Sequence, residues 1–173
     1  IRLVIRCQVP PELRSRIEKN KQIELIEEII SSEQLAQLYR NSDIFLLPCH
    51  AFVLMATLEA MSFGLPIISL DTYAVNNFIR DGYNGFLIEK SRIITAYSDP
   101  AYPANLRTKK FIREVRMIDK EIIERICKKV ELLILKPSLR ERMGKNGQMV
   151  IKKKFSVEVR NLALKKIFDE ILE

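Results

Sequence analysis

The chain has 173 residues, of which 47% are apolar and 29% are charged, as expected for one soluble globular domain rather than a disordered segment. No apolar run approaches the ~18 residues that a membrane-spanning helix needs. Three widely spaced cysteines and a single histidine exclude a disulfide scaffold, a thiolate zinc site and a multi-histidine metal centre. Five glycines are too few and too scattered for a glycine-rich phosphate loop.

Charge is divided unevenly along the chain. Residues 1–100 carry 10 lysines and arginines against 12 acidic residues, whereas residues 101–173 carry 19 against 10, a net charge of +9. A basic half of this kind can contact nucleic acid, anionic lipid or a phosphorylated ligand. The alternative is a set of solvated helix faces, because the basic residues alternate with acids and lack interleaved aromatic residues.

The first half predicts alternating strands and helices. The predicted strands are Ile1–Arg6, Ile23–Ile30, Asp43–Leu47, Pro66–Leu70 and Gly85–Ile88. The predicted helices are one that Ser31 opens with Gln34 as its capping-box partner, Leu54–Phe63 ending at Gly64, and a short one over Thr72–Arg80. Strands and helices at this spacing indicate an α/β fold with a doubly wound parallel sheet.

The second half has a different pattern. Residues 89–118 contain Pro100 and Pro103 and little periodicity, which predicts an insertion or a long loop. Residues 119–173 predict C-terminal helices, with a restart at Pro137 and a cap at Ser156.

Glu59 is the first candidate functional residue. It lies among apolar neighbours in a predicted helix, where a carboxylate needs hydrogen-bond donors to offset its desolvation. Two adjacent sugar hydroxyls would match its two oxygens, and a structural carboxylate that caps a neighbouring loop is the alternative. The start of the same helix, near Leu54, would present free N–H groups at the carboxyl edge of the sheet, where anionic ligands bind in open α/β folds.

Several ordered blocks resemble the family 4 (group 1) retaining glycosyltransferases of the GT-B fold. Residues 57–68, T-L-E-A-M-S-F-G-L-P-I-I, resemble the family's L-E-A-M-A-x-G-x-P-V-V block. Residues 31–39 and 43–48 resemble the helix and strand before its donor site. Residues 81–88, D-G-Y-N-G-F-L-I, resemble its D-G-x-N-G-x-L-V, and L-R-E-R-M-G at 139–144 with Phe155-Ser156 resembles its closing helices.

The resemblance implies a Rossmann-like domain with C-terminal helices over residues 1–173, one half of a GT-B fold. It implies that Glu59 binds the ribose hydroxyls of the donor nucleotide and that Leu54, Met55 and Ala56 face the donor's phosphates. The first strand of the domain and the N-terminal acceptor domain are expected to be missing. Since Ile1 is not a natural start, we expect the chain to be part of a longer protein and to be inactive alone.

The sequence departs from the family pattern around the transferred sugar. The family's first motif glutamate falls on Ala51, and its E-G-F-G reads Ala51, Phe52, Val53 and Leu54. The adjacent His50 is a candidate substitute hydrogen-bonding group, with an ordinary loop histidine as the alternative. The family's D-x-G-G-x-P-E appears as residues 71–77, D-T-Y-A-V-N-N.

Within residues 71–77, Tyr73, Asn76 and Asn77 are candidates for a loop that contacts the donor. The alternative for the two asparagines is a structural role, because asparagine is also a favoured turn and capping residue.

We therefore predict a hexosyltransferase-type glycosyltransferase domain that uses a nucleotide-sugar donor such as a UDP- or GDP-sugar and needs no metal. Its acceptor would be a glycan or a lipid-linked molecule bound through the N-terminal domain. The predicted location is cytoplasmic, with peripheral contact at the membrane and no nucleic-acid partner. One alternative is a catalytically inactive pseudo-glycosyltransferase, and another is a basic nucleic-acid or anionic-membrane module that rests on residues 101–173.

Overall fold

A computed structural model of the chain describes residues 1–50, 54–72, 75–94 and 108–172. The chain forms two compact units, Ile1–Leu38 and Tyr39–Glu173, and each is described by itself. The sequence predicts one nucleotide-sugar-binding domain over residues 1–173, and this remains a prediction.

The first unit is built on a pair of parallel strands. It contains β1 (Leu3–Arg6), α1 (Pro11–Glu18), β2 (Ile23–Ile26) and most of α2 (Ser32–Arg40). Leu3 is paired with Ile23, and the register continues to Arg6 opposite Ile26. Helix α1 was not predicted, because the Pro10–Pro11 pair signals a chain break, although proline is also a favoured first residue of a helix.

The second strand of this unit is shorter than predicted. It ends at Ile26 rather than Ile30, and the Glu27 carboxylate accepts a 3.0 Å hydrogen bond from the backbone N–H of Val9. The predicted capping box of α2 is confirmed. The N–H of Ser31 donates to Oε1 of Gln34 at 2.8 Å, and the N–H of Gln34 donates to Oγ of Ser31 at 3.2 Å.

The second unit contains a three-stranded parallel sheet in the order β3-β4-β5. Its first elements are β3 (Phe45–Leu47), α3 (Leu54–Ser62), β4 (Ile67–Leu70), a 3₁₀ turn (Val75–Asn77) and β5 (Gly85–Ile88). All four residues of the central strand β4 are buried, as expected for an apolar run without alternation. Gly64 ends the α3 region with a φ of 78°, the left-handed conformation that glycine adopts without strain.

Four α-helices follow the sheet within the described residues. They are α4 (Lys109–Glu114), α5 (Lys120–Leu135), α6 (Pro137–Val150) and, after a π-helical turn at Ile151–Phe155, α7 (Val157–Leu172). The predicted cap at Ser156 is confirmed, since its Oγ accepts from the N–H of Val159 at 3.3 Å. Helix α4 falls within the predicted insertion, of which residues 95–107 lie outside the described residues.

Apolar side chains from the sheet, α5 and α6 form the core of the second unit. It comprises Ile68, Leu70, Phe86, Ile88, Ile122, Leu133 and Met143. Parallel strands with helices packed on them confirm the predicted α/β class. The parallel strands of this sheet end at one edge, and the candidate site lies at that edge.

Candidate functional site

The carboxyl ends of β3, β4 and β5 lie at one edge of the sheet. The parallel register pairs Leu47 with Ser69 and Leu70 with Ile88, so the segments after all three strands emerge together. Buried Thr72, just after β4, donates through Oγ1 to the carbonyl oxygen of Cys49 at 3.3 Å. This bond holds the segment after β3 against the segment after β4, directly before His50.

His50 is half-buried at this edge and lies within the electrostatic reach of Asp119. Burial lowers the pKa of His50, and the negative charge of Asp119 opposes part of that effect. A neutral imidazole can both donate and accept a hydrogen bond.

Asp119 is held in place by three hydrogen bonds. Its Oδ1 accepts from the N–H groups of Glu121 and Ile122 at 3.1 and 3.2 Å at the start of α5. Its Oδ2 accepts a short hydrogen bond from the hydroxyl of Ser91, a buried residue after β5. The Ser91 bond, followed by the two backbone bonds, keeps the pKa of Asp119 below its usual range.

Glu59 lies on α3, half-buried, with one oxygen engaged. The hydroxyl of Tyr39 donates to Oε2 of Glu59 at 3.2 Å. In the part of the chain that the structure describes, no other side chain is hydrogen-bonded to this carboxylate. The desolvation expected from its apolar neighbours is thus offset on one oxygen, while the other has capacity for a further donor.

The ring of Tyr39 is fixed by aromatic neighbours. It is 8% exposed, stacks on Phe63 with ring centroids 5.2 Å apart and meets Phe45 at 6.0 Å. The guanidinium of Arg40 lies 5.8 Å from the centre of the Phe63 ring. These contacts fix the direction from which the hydroxyl approaches Glu59.

The remaining predicted donor-binding residues differ in solvent exposure, and several lie outside the described residues. Leu54 opens α3, Met55 is 65% exposed and Ala56 is half-buried. Asn76 and Asn77 are both exposed in the 3₁₀ turn. Ala51, Phe52, Val53 and Tyr73 lie outside the described residues.

The D-G-Y-N-G segment has a structural role. Asn84 is fully buried, and its side-chain oxygen accepts from the N–H of Arg80 at 2.8 Å while its amide donates to the carbonyl of Phe78 at 2.9 Å. The motif therefore shapes the turn before β5.

Sequence reasoning missed the roles of Tyr39, Thr72, Ser91 and Asp119 in these contacts. The sequence places Tyr39 in the predicted helix that Ser31 opens and Asp119 at the start of the predicted C-terminal helices, and neither position indicates these contacts. For Thr72 and Ser91 the signal is their position after a strand end, since polar residues there meet at one edge of a parallel sheet.

Across the described residues, no three or more His, Cys, Asp or Glu side chains are grouped so that they could hold a metal ion. The expectation of a metal-independent site stays a prediction. Within the same part of the chain, no helix has the length and apolar character to cross a membrane.

The parallel α/β architecture is that of GT-B glycosyltransferase domains. The family model described as "Glycosyl transferases group 1" matches residues 1–99, more than half of the chain. The chain therefore belongs to the group 1 glycosyltransferase family. A search of curated proteins finds no match.

Solved structures share the fold at low sequence identity. The C-terminal domain of a group 1 glycosyltransferase, LpcC, from Francisella tularensis is 23% identical with a TM-score of 0.59, covering 84% of this chain and 62% of that one. The pneumococcal O-GlcNAc transferase GtfA, solved with UDP and GlcNAc, is 22% identical with a TM-score of 0.70, covering 100% and 30%. Anabaena HepE, solved with UDP-glucose, is 16% identical with a TM-score of 0.61, covering 92% and 36%. The chain thus spans less than two thirds of each of these structures.

Proposed function

We propose that this chain is the donor-binding part of a glycosyltransferase that takes a nucleotide-diphosphate sugar and transfers its hexosyl group with retention. The observation that carries the proposal is the Glu59 carboxylate, which Tyr39 holds by one oxygen at 3.2 Å. The other oxygen would accept a hydrogen bond from a ribose hydroxyl of the donor.

The start of α3 would receive the diphosphate. The N–H groups in its first turn carry a partial positive charge that favours an anion. Glu59 lies five residues after Leu54, about 7 Å along the helix axis. A ribose on Glu59 therefore leaves the diphosphate within reach of the helix start.

The compared structures support a nucleotide-sugar as the ligand. GtfA was solved with UDP and GlcNAc, and HepE with UDP-glucose. Transfer itself would need an acceptor, a glycan or a lipid-linked molecule, bound by an N-terminal domain. We therefore expect the 173-residue chain to bind donor without turnover. Metal-independence belongs to the same proposal, and unchanged donor binding in EDTA would support it.

Calorimetric titration with UDP, GDP and ADP tests the proposal. We expect one nucleotide to bind, and Glu59→Gln to weaken its affinity about tenfold because a charged acceptor of a ribose hydroxyl is lost. Glu131→Gln, at an exposed position of α5, is the matched control and should leave the affinity unchanged.

The outcomes separate the alternatives. Binding that survives Glu59→Gln would mean that Glu59 is a structural carboxylate. Binding of no nucleotide would contradict the donor-site proposal and favour the catalytically inactive pseudo-glycosyltransferase. Strongly salt-dependent DNA binding would instead favour the basic-module alternative.

Peripheral membrane contact is part of the same proposal, since a lipid-linked acceptor would lie at a membrane surface. Lys152, Lys153 and Lys154 are exposed on the π-helical turn, and Leu162 and Phe168 of the following α7 are 69% and 60% exposed. Cations next to exposed apolar side chains suit an anionic bilayer surface. We expect the protein to float with phosphatidylserine vesicles at low salt, and recovery in the pellet fraction would contradict the contact.

A further inference from the structure

An exposed apolar patch lies beside the carboxyl end of β5 in the second unit. Its members are Ile93, Met117 and Ile118, which are 38%, 55% and 75% exposed. Each lies within two residues of Ser91 or Asp119 in the chain, and a hydrogen bond joins these two residues. Because two residues span at most about 7 Å, the three side chains are held around that bond. We call these three residues the edge patch.

Two contacts close the base of the segment that carries the edge patch. The Ser91 hydroxyl donates to the Asp119 carboxylate, and its oxygen accepts from the N–H of Ile93 at 3.2 Å. The Arg125 guanidinium donates to the Glu89 carboxylate at 3.0 Å. The edge patch is therefore tied to the end of β5, at the same edge of the sheet as the candidate site.

Helix α4, which precedes Met117 in the chain, presents a basic face to solvent. Phe111 and Glu114 are 6% and 8% exposed, so their side of the helix packs against the protein. Lys109, Ile112 and Arg113 are three or four residues apart and share the opposite side. All three are exposed, and this basic face leads directly into the edge patch.

Positive charge is in excess around the edge patch. Residues 108–120 contain five lysines and arginines and two acidic residues, a net charge of +3. Of the two acids, Glu114 is paired with Lys110 at 3.9 Å, and Asp119 is hydrogen-bonded to Ser91 and to the start of α5. Within the described residues, four exposed cations of this segment form no ion pair: Lys109, Arg113, Arg116 and Lys120.

Exposed apolar side chains next to unpaired cations suit the surface of an anionic bilayer. The cations attract anionic headgroups, and the apolar side chains leave water when they enter the boundary between headgroups and acyl chains. Single-stranded nucleic acid fits the surface less well, because Ile93, Met117 and Ile118 offer no aromatic ring on which a base could stack.

We propose that the edge patch and the basic face of α4 bind the surface of an anionic phospholipid bilayer, with Met117 and Ile118 entering the interface. The inference rests on the proposed function, which includes contact with a membrane. It adds a contact at the ligand-binding edge to the one at the π-helical turn and α7. In this orientation the carboxyl ends of β3, β4 and β5 face the bilayer, where a lipid-linked acceptor would lie.

A tryptophan probe tests the insertion directly, because the chain contains no tryptophan. Ile118→Trp puts the probe in the edge patch. Leu135→Trp is the matched control, since Leu135 is 71% exposed and lies at the other end of α5, about 23 Å along the helix axis. With phosphatidylserine vesicles, we expect the emission of Ile118→Trp to shift to shorter wavelength and to be quenched by brominated acyl chains. The emission of Leu135→Trp should not change.

Removal of charge tests the basic face of α4. Arg113→Gln combined with Arg116→Gln should weaken binding to phosphatidylserine vesicles about thirtyfold, because two cations near an anionic surface are lost. Arg142→Gln combined with Lys145→Gln removes the same charge from exposed positions of α6. This control should change the binding by less than about threefold, since distant charges are screened by salt.

Three results would overturn the inference while the wild type binds vesicles. One is an Ile118→Trp emission that stays unchanged or moves no more than that of Leu135→Trp. Another is an equal loss of binding in the two charge variants. The third is binding that is lost only in Lys152→Gln combined with Lys154→Gln, which would leave the membrane contact of the proposed function standing.

Two further results bear on the occupant of the edge patch. A dimer in solution that is lost in Ile118→Ser would overturn the inference in favour of a second copy of the chain. A wild type that binds no phosphatidylserine vesicles would contradict both membrane contacts together. Nucleotide titration would then decide the donor-binding proposal separately.

Discussion

The hydroxyl of Tyr39 donates a 3.2 Å hydrogen bond to Oε2 of Glu59, across 20 residues of sequence. Tyr39 is the penultimate residue of α2, and Glu59 is the sixth residue of α3. The ring of Tyr39 stacks on Phe63, which lies four residues after Glu59 in the chain. One carboxylate oxygen is therefore held by a rigid partner, and Glu59 keeps one orientation before any ligand arrives.

Tyr39→Phe removes that hydrogen bond while keeping the ring. We expect nucleotide affinity to fall about fivefold, because Glu59 loses its fixed orientation, with a loss of stability of about 1 kcal/mol. Calorimetric titration and urea unfolding measure the two effects. Tyr83→Phe, which removes a hydroxyl from a 37% exposed ring, is the control, and equal losses in the two variants would contradict a positioning role for Tyr39.

The pKa of His50 predicts a loss of stability in mild acid. Burial places the folded-state pKa below the unfolded value of 6.5, so the unfolded chain takes up the proton first as pH falls. This contribution to stability is complete above pH 6.5 and is lost as pH falls from 6.5 through the folded-state pKa.

Urea midpoints measured from pH 7.5 down to pH 5 should therefore fall in the wild type and fall less in His50→Gln. Hydrogen bonds hold the pKa values of the Asp119, Glu89 and Glu158 carboxyl groups below their ordinary values of 3.8 to 4.5, so these groups lose their contributions to stability at lower pH than His50 does. Identical slopes in the two proteins would show that His50 does not titrate differently on folding.

Gly144 on α6 is expected not to tolerate a side chain. A Cβ atom at this position would lie 1.9 Å from the carbonyl oxygen of Gly64, and neither backbone can move without disturbing the core around Met143. Gly144→Ala should cost about 3 kcal/mol of unfolding free energy.

Gly147→Ala is the matched control on the same helix. Its added Cβ would be 3.7 Å from the nearest atom of Met61, an ordinary contact, and alanine favours the helix by about 1 kcal/mol over glycine. We expect an unchanged or raised thermal midpoint for Gly147→Ala. A similar loss in both variants would contradict the close approach as the cause.

Asn84→Ala should destabilise the second unit by about 3 kcal/mol, because the N–H of Arg80 and the carbonyl of Phe78 lose their partner in a buried setting. Urea unfolding measures the loss. Asn161→Ala, at an exposed position of α7, is the control and should change stability by less than about 0.5 kcal/mol.

The sequence predicted the strands, turns and helix caps that depend on strong local preferences. The apolar run before Asp71 defines β4, the Ser31–Gln34 pair defines the start of α2, and Gly64 ends the α3 region. These features depend on contacts within a few residues of the chain. The same blocks carried the resemblance to group 1 glycosyltransferases, which the family match confirms.

Contacts between distant segments were decided only by the tertiary structure. Nothing near Tyr39 in the chain indicates that its hydroxyl reaches Glu59, and nothing near Asp119 indicates that it bonds Ser91, 28 residues earlier, and acts on His50. The sequence determines which residues can form strands, turns and helix caps, because those preferences are local. Which polar side chains meet depends on the parallel register that brings three strand ends to one edge, and only the packed sheet establishes that register.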